Sequence, residues 1–180
     1  MPPTTLDAQN QLLGKHFEAL IATWLDASPH FRLRAHGVQL HQDRQTIGEL
    51  DFLVDDLRRG RTLHMEVASK FYLAAEDGSG WENWIGPSGR HDTLRTKMDK
   101  LVDQLAACTL PPAKAYLAEH RISTPEPALL MKGWFFHHHS RLHRHKAPRW
   151  AHPGYNAGWW CRPDEAFEVM GSDHVRILPL

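Results

Sequence analysis

The first periodic pattern along the chain predicts an amphipathic helix. Between residues 7 and 26, apolar side chains recur every three or four positions, which is the period of a helix with one buried face. The stripe consists of Leu13, Phe17, Leu20 and Trp24, and it is broadened by Leu12, His16, Ile21 and Leu25. Pro29 follows the pattern and prevents its continuation. We therefore expect one helix that packs this stripe against the core.

Three segments with alternating side chains and many β-branched or aromatic residues follow this helix. They cover residues 31–41, 47–55 and 62–73, and a Leu-Arg-Arg-Gly turn joins the last two. Connections this short join antiparallel neighbours. The pattern therefore predicts a meander of three antiparallel strands.

The second half of the chain predicts a loop, two helices and further strands. Glycines around Trp81 and Trp84 indicate a long irregular loop over residues 75–90, with the two tryptophans either as a substrate lid or as a buried anchor. Asp92 is placed to cap the next helix. The remaining predicted elements are a helix over 113–120, a strand over 128–136, a strand at 159–160, a helical turn over 164–170 and a terminal strand. The order is α, β-β-β, α, β, with additions.

Composition indicates one folded α/β domain over residues 1–180. The chain has 180 residues, 42% of them hydrophobic, including seven tryptophans, which is enough to build a core. The 21 basic and 21 acidic residues balance, so net charge favours no polyanion. Two cysteines, Cys108 and Cys161, are too few for a disulfide framework. The absence of a signal peptide and of a membrane span predicts a cytoplasmic protein.

The strand pattern places a group of chemically active side chains on one face of the third strand. Successive side chains point to opposite faces, and this face carries His64, Glu66, Ala68, Lys70 and Tyr72. The opposite face, from Leu63 to Leu73, is apolar and is expected to be the core. Because the second strand is a neighbour, Asp51 is expected to approach Glu66 across the hairpin.

Two carboxylates placed opposite each other repel unless a cation lies between them. Asp51 and Glu66 therefore predict a Mg²⁺ or Mn²⁺ site, in which Lys70 could activate the attacking water. Glu18 lies at the margin of the apolar stripe of the first helix and is a candidate supporting carboxylate. Glu49 is expected to be a surface charge. This outline is typical of phosphodiester hydrolysis.

Three segments carry a resemblance to a known family. Glu18, the segment Gly48–Leu53 (GELDFL) and the segment Glu66–Leu73 (EVASKFYL) are similar to the PD-(D/E)xK nuclease superfamily, and more closely to a bacterial family of unknown function, number 1853. The resemblance covers about residues 10–136. It implies a restriction-endonuclease-like αβββαβ core over about 7–136, a central mixed sheet flanked by helices, and a C-terminal extension over about 137–180.

The resemblance also assigns roles. It implies that Asp51 and Glu66 hold the metal and that Glu18 is the superfamily's helical glutamate. The sequence departs from the superfamily at two positions: Leu50 replaces a proline, and the lysine stands four residues after Glu66, at Lys70, where two is usual. A metal-dependent nuclease is the first expectation. The alternative is an inactive nuclease-fold domain with a structural pair of Glu66 and Lys70, which binds nucleic acid or another protein; a homodimer is possible in either case.

A region without acidic residues follows Glu126 and predicts a nucleic-acid surface. Its cations alternate with aromatic residues, which can stack on unpaired bases. The candidate phosphate contacts are Arg141, Arg144, Lys146 and Arg149, together with Arg95 on the preceding helix. Trp134, Phe136 and one of the pair Trp159 and Trp160 are assigned to the core.

Several histidines, His137, His138, His139, His143 and His145, lie in the same region. Consecutive residues of a strand point to opposite faces, so these histidines are not expected to converge on one ion. A histidine-based metal sensor is kept as a third alternative.

Overall fold

The computed structural model describes residues 13–75, 80–141 and 151–170 and confirms the α/β class with a central mixed sheet. The helices are α1 (Leu13–Ala27), α2 (Leu94–Ala106), α3 (Pro111–Glu119) and α4 (Ala166–Met170). The strands are β1 (Phe31–Gln42), β2 (Gln45–Asp56), β3 (Arg61–Ala74), β4 (Trp84–Gly86), β5 (Gly89–Thr93), β6 (Glu126–His138) and β7 (Asn156–Trp160). Short 3-10 helices cover Trp81–Asn83, Ala107–Thr109, His139–Arg141 and Pro163–Glu165.

The predicted three-stranded meander is confirmed, and its turns set the register. β1 and β2 are joined at Asp43 and Arg44, whose φ angles of 49° and 69° are those of the tight turn that matches strand twist. At the other end of β2, the Asp56 carboxylate accepts hydrogen bonds from the backbone amides of Arg58 and Arg59, at 3.2 and 3.1 Å. The resulting register of β2 and β3 runs from Asp56 opposite Arg61 to Phe52 opposite Met65.

The chain forms two compact units. The first comprises Met1–Ser69 and Asp99–Lys132, and the second comprises Lys70–Met98 and Gly133–Leu180. In the first unit, residues of β2 belong to two apolar clusters. One joins Phe52 and Val54 to α1, and the other joins Leu40, Leu50 and Leu53 to α3. Both faces of the meander are therefore covered, which is how an open sheet buries its apolar residues.

The predicted buried stripe of α1 is confirmed only in part. Ile21 and Leu25 are the buried residues of this helix, whereas Leu13, Leu20 and Trp24 are exposed. The helix carries two overlapping apolar stripes, and periodicity cannot decide which of them faces the sheet. Glu18 shares the arc of Ile21 and Leu25, so it lies on the side of α1 that packs.

The prediction that the core lies on the apolar face of β3 is confirmed only in part: Val67 belongs to a core cluster and Met65 packs against it, but the polar face is buried as well. His64 and Glu66 are both 0% exposed, and Tyr72 is buried too. Leu73, on the face expected to be the core, is exposed. A polar face can be buried when its members pair with one another, and the pairing of His64 with Glu66 meets that condition.

In the second unit, the predicted irregular loop over residues 75–90 is wrong for its described part. Strands β4 and β5 form there, and the fully buried Trp84 anchors them, with its ring 4.8 Å from that of Phe135. Asp92 does not cap α2 but lies in β5. The cap is Thr93, whose hydroxyl accepts a hydrogen bond from the amide of Thr96 at 3.1 Å.

Strand β6 pairs with β3, and a glycine permits their close approach. A Cβ at Gly133 would overlap the backbone carbonyl oxygen of Lys70, so no larger residue fits there. β6 also pairs with β7, in parallel. Trp134 on β6 is 43% exposed, which corrects its assignment to the core.

Two further features bear on the sequence predictions. The predicted terminal strand lies in residues 171–180, outside the described residues. Among the described helices, none combines the length and the apolar character that crossing a membrane requires.

Candidate carboxylate site

The first unit brings Asp51 beside the strand that carries Glu66. The ladder between β2 and β3 ends at Phe52 and Met65, so Asp51 is at the next position, level with Glu66. At this position a side chain joins β2 to β3. Oδ2 of Asp51 accepts a hydrogen bond from the backbone amide of Val67 at 3.0 Å. The carboxylate is therefore held at a defined place on β3.

The surroundings of Asp51 are electrically negative. The pKa of Asp51 is raised to about 6: burial raises it most, the hydrogen bond from Val67 lowers it, and the charges of Glu66, Glu18 and Glu49 raise it. Like charges act on a pKa in this way when they lie near one another. Carboxylates of α1, β2 and β3 therefore interact electrostatically with Asp51.

Glu66 is the most deeply buried member of this group. Its side chain is inaccessible to solvent, and its Oε1 is bonded to Nε2 of His64 at 2.9 Å. The other oxygen, Oε2, has no hydrogen-bond partner among the described residues. An unpaired buried carboxylate oxygen is costly, so it is a position at which a cation would be favourable.

His64 holds Glu66 in place, a role that sequence reasoning did not assign. Burial lowers the pKa of His64, but the hydrogen bonds and the electrostatic interactions with Cys108 and Glu66 outweigh it and raise the pKa to about 9. At neutral pH the imidazole is therefore protonated and forms a buried ion pair with Glu66. The alternation of His64 and Glu66 on one face was the available signal, whereas the approach of Cys108 depends on tertiary structure.

Glu18 reaches the site from α1 together with a lysine that the sequence prediction missed. The amine of Lys15 lies 2.9 Å from Oε2 of Glu18. The hydrogen bond and charge of Glu18 raise the pKa of Lys15, and the charges of Glu49 and Asp51 contribute. The spacing of three residues on a helix was the signal for this pair. Lys15 thus places a positive charge among the carboxylates of the first unit.

Lys70, the lysine predicted to activate water, belongs to the second unit. Its amine lies 3.5 Å from Oδ1 of Asp92, and both side chains are partly buried. The described ion-pair partner of Glu66 is His64, so the structural pair of Glu66 and Lys70 that the inactive alternative invoked is not the one observed. The catalytic role of Lys70 stays a prediction.

The candidate phosphate contacts are only partly described. Arg95 lies over the ring of Trp81 at 5.5 Å and 3.8 Å from the carboxylate of Glu82. Arg141 is exposed at the end of its 3-10 helix. The remaining predicted contacts, Arg144, Lys146 and Arg149, lie outside the described residues.

The donor set of the first unit fits a hard divalent cation. Asp51, Glu66 and Glu18 offer only oxygen, which Mg²⁺ and Mn²⁺ prefer. The unpaired Oε2 of Glu66 provides a free ligand atom, and burial together with neighbouring negative charge raises the pKa of Asp51. Among the described residues, the ligand atoms of these three carboxylates do not all lie within 4.8 Å of one another, so an ion bound here would be held by one or two of them.

Comparison with known proteins bears on the family. No curated protein and no solved structure matches this chain. A family model described as "Domain of unknown function (DUF1853)" matches residues 2–179, which is nearly the whole chain. The GELDFL and EVASKFYL segments lie within this match, and the chain belongs to the DUF1853 family.

Proposed function

We propose that this protein is a metal-dependent nuclease of the PD-(D/E)xK, restriction-endonuclease-like type. The observation that carries the proposal is Glu66, a fully buried carboxylate with an unpaired Oε2 beside an aspartate whose pKa neighbouring carboxylates raise. Such strongly perturbed groups concentrate at functional sites. A site of this composition suits the hydrolysis of phosphodiester bonds with Mg²⁺ or Mn²⁺.

The order of the elements supports the proposed fold type. The chain runs α1, then the meander β1 to β3, then α2, then β6, which is the αβββαβ order expected of such a core. β4, β5 and α3 are additions to this order. Asp51 and Glu66 lie one position beyond the end of the ladder between the second and third strands, where the Asp51 side chain bonds to the backbone of β3.

In the proposed mechanism, Asp51 and Glu66 bind the divalent ion. When bound, Mg²⁺ would activate water and neutralise charge on the reacting phosphate. His64 holds Glu66 through Oε1 and keeps Oε2 directed away from that bond. Glu18 adds a supporting carboxylate, and Lys15 offers its positive charge to a phosphate oxygen.

The proposed substrate is a nucleic acid. In the second unit, the exposed Trp134 stacks on Phe136 with ring centroids 6.0 Å apart, and such a pair can accept an unpaired base by stacking. Arg141 is exposed in the same unit. These features support binding of DNA or RNA with unpaired bases, while a homodimer stays a prediction.

The test is a cleavage assay with matched carboxylate variants. We expect wild-type protein to cut plasmid, single-stranded DNA or single-stranded RNA in Mg²⁺ or Mn²⁺, and to stop in EDTA. Asp51→Asn and Glu66→Gln should each lower the rate by at least about a hundredfold, because each removes a charged ligand. Glu119→Gln, which alters an exposed carboxylate on α3, is the control and should cut at the wild-type rate.

The two lysines are compared in the same assay. Lys15→Ala and Lys70→Ala are measured separately, with circular dichroism to confirm folding. A lower cleavage rate for Lys15→Ala alone would show that the required positive charge comes from α1. A lower cleavage rate for Lys70→Ala would support the role in water activation that the sequence predicts for Lys70. Equal cleavage by wild type and Asp51→Asn, or no cleavage on any substrate with either metal, would refute the nuclease proposal.

One observation favours a second candidate, a non-catalytic module on the same scaffold. The buried ion pair of His64 and Glu66 already balances one carboxylate without a metal, so Glu66 could be structural. This candidate predicts that nucleic acid binds without cleavage and that Asp51→Asn leaves the affinity unchanged. A gel-shift assay in EDTA, run beside the cleavage assay, separates the two candidates.

A further inference from the structure

A second group of metal-ligating side chains lies in the second unit, where β6 ends. The strand stops at His138, and His139 begins a 3-10 helix. Strand alternation therefore ends between these two residues, and their rings come to lie 4.5 Å apart between centroids. This geometry corrects the expectation that consecutive histidines here point to opposite faces.

A carboxylate from a distant part of the chain completes the group. β7 runs parallel to β6 with Trp160 opposite His138, and the 3-10 helix Pro163–Glu165 follows directly. This short connection returns Glu165 to the histidines. Its Oε2 lies 3.0 Å from Nε2 of His138 and 3.8 Å from Nε2 of His139.

These distances are compatible with binding of one metal ion. One ligand atom from each of the three residues lies within 4.8 Å of the other two. Around a tetrahedral ion with bonds of about 2.0–2.1 Å, neighbouring ligand atoms are about 3.3 Å apart. The three side chains are 18, 20 and 24% exposed, so the group is partly shielded from water.

Neighbouring groups hold the ligands in the required orientation. Nδ1 of His138 is 2.9 Å from the hydroxyl of Ser140, and Oε2 of Glu165 accepts a hydrogen bond from the backbone amide of Arg162 at 2.7 Å. Nε2 of His138 and Oε2 of Glu165 are also within hydrogen-bond distance of each other, at 3.0 Å. A bound cation would replace this hydrogen bond by two coordinate bonds, and supporting bonds such as that between Nδ1 and Ser140 are typical of metal-ligating histidines.

We propose that His138, His139 and Glu165 bind one transition-metal ion, with Zn²⁺ as the best match to two imidazoles and a carboxylate. Three protein ligands leave the fourth tetrahedral position for water or for an oxygen of a ligand. The site differs from the carboxylate site in its chemistry, because it offers nitrogen ligands that Mg²⁺ does not favour. It also fastens the end of β6 to the segment that follows β7.

The test is metal binding to the full chain without a histidine tag. The protein is stripped with EDTA, dialysed and titrated with Zn²⁺ by calorimetry. We expect one equivalent to bind tightly in wild type, and at least about tenfold weaker binding for His138→Ala and for Glu165→Gln. His91→Ala, which removes an exposed histidine of the same unit, is the matched control and should bind as wild type does.

A spectroscopic readout keeps the test decisive if a variant folds poorly. Co²⁺ added to wild type should give the intense visible absorption of a four-coordinate site, and the isosteric Glu165→Gln should weaken it while circular dichroism stays unchanged. Asp51→Asn should leave both signals intact, which separates this site from the proposed nuclease site. Zinc binding that is equal in wild type, His138→Ala and Glu165→Gln, or no binding by wild type, would overturn the proposal.

Discussion

Replacing Asp51 by asparagine should stabilise the metal-free protein while it removes the proposed metal site. At pH 8 the Asp51 carboxylate is ionised although burial and the charges of Glu66, Glu18 and Glu49 oppose ionisation. Asparagine has no charge, and its carbonyl oxygen can still accept the hydrogen bond from the amide of Val67. The substitution therefore relieves repulsion and keeps the contact that holds the side chain.

The size of the effect follows from the pKa of Asp51. A rise from 3.8 to about 6 corresponds to at most about 3 kcal/mol of free energy of unfolding. Because Asp51 is only half-buried, water screens part of the repulsion, and we expect about 1 to 2 kcal/mol. Asp51→Ala also loses the hydrogen bond, so it should be less stable than Asp51→Asn by about 1 kcal/mol.

The pH dependence identifies the cause. A folded-state pKa above the unfolded value means that ionisation of Asp51 weakens the fold as pH rises through about 6. The free energy of unfolding of Asp51→Asn should therefore exceed that of wild type by the full amount at pH 8. This difference should shrink as pH falls through 6 and vanish below about pH 4. Glu119→Gln, the exposed control, should show no comparable trend.

Urea denaturation in EDTA, at pH values from 4 to 8, measures this difference. Repeating the series with Mg²⁺ should reverse the order of stability, because an ion at a hundred times its Kd stabilises wild type by about 2.7 kcal/mol and Asp51→Asn much less. If Asp51→Asn is less stable than wild type at pH 8 in EDTA, or if its gain does not change with pH, the proposed carboxylate repulsion is refuted.

Three further substitutions test the fold and the buried pair. Gly133→Ala should destabilise the protein by about 3 kcal/mol or more, seen as a lower urea midpoint, because its Cβ would overlap the Lys70 carbonyl; an unchanged midpoint would contradict this packing. Arg44→Gly should raise the melting temperature by relieving a φ of 69°, a gain of about 1 kcal/mol, and a lower melting temperature would argue against the observed turn. His64→Gln should lower the free energy of unfolding by about 3 kcal/mol at pH 6. This loss of stability should shrink as pH rises through about 9, where wild-type His64 loses its proton and its ion pair with Glu66. A loss of stability that is constant with pH would exclude the charged pair.

Much of the local structure could be read from the sequence, because it depends on short-range rules. Alternation and the short turn at residues 57–60 predicted the meander, and the meander predicted that Asp51 approaches the strand of Glu66. In both cases neighbouring residues carry the information. The zero net charge and each carboxylate taken singly gave no such information, since each acidic residue is ordinary when it is considered alone.

Tertiary structure decided which candidate groups meet and which stay apart. Helix α1 has two overlapping apolar stripes, and only packing on β2 selected Ile21 and Leu25 for burial. Strand parity placed Glu66 on a polar face correctly but could not reveal that this face is buried, since burial depends on what covers the sheet.

The same reason explains the partners that were missed. His64 next to Cys108, and Glu165 next to His138, join residues far apart in the chain, and no periodic pattern encodes such meetings. The sequence by itself determined the three strands of the meander, the turn between the last two of them and the approach of Asp51 to the strand of Glu66. Only the packed fold decided the charge state of Asp51, the buried partner of Glu66 and the convergence of two histidines with a carboxylate, because those properties depend on distance in space.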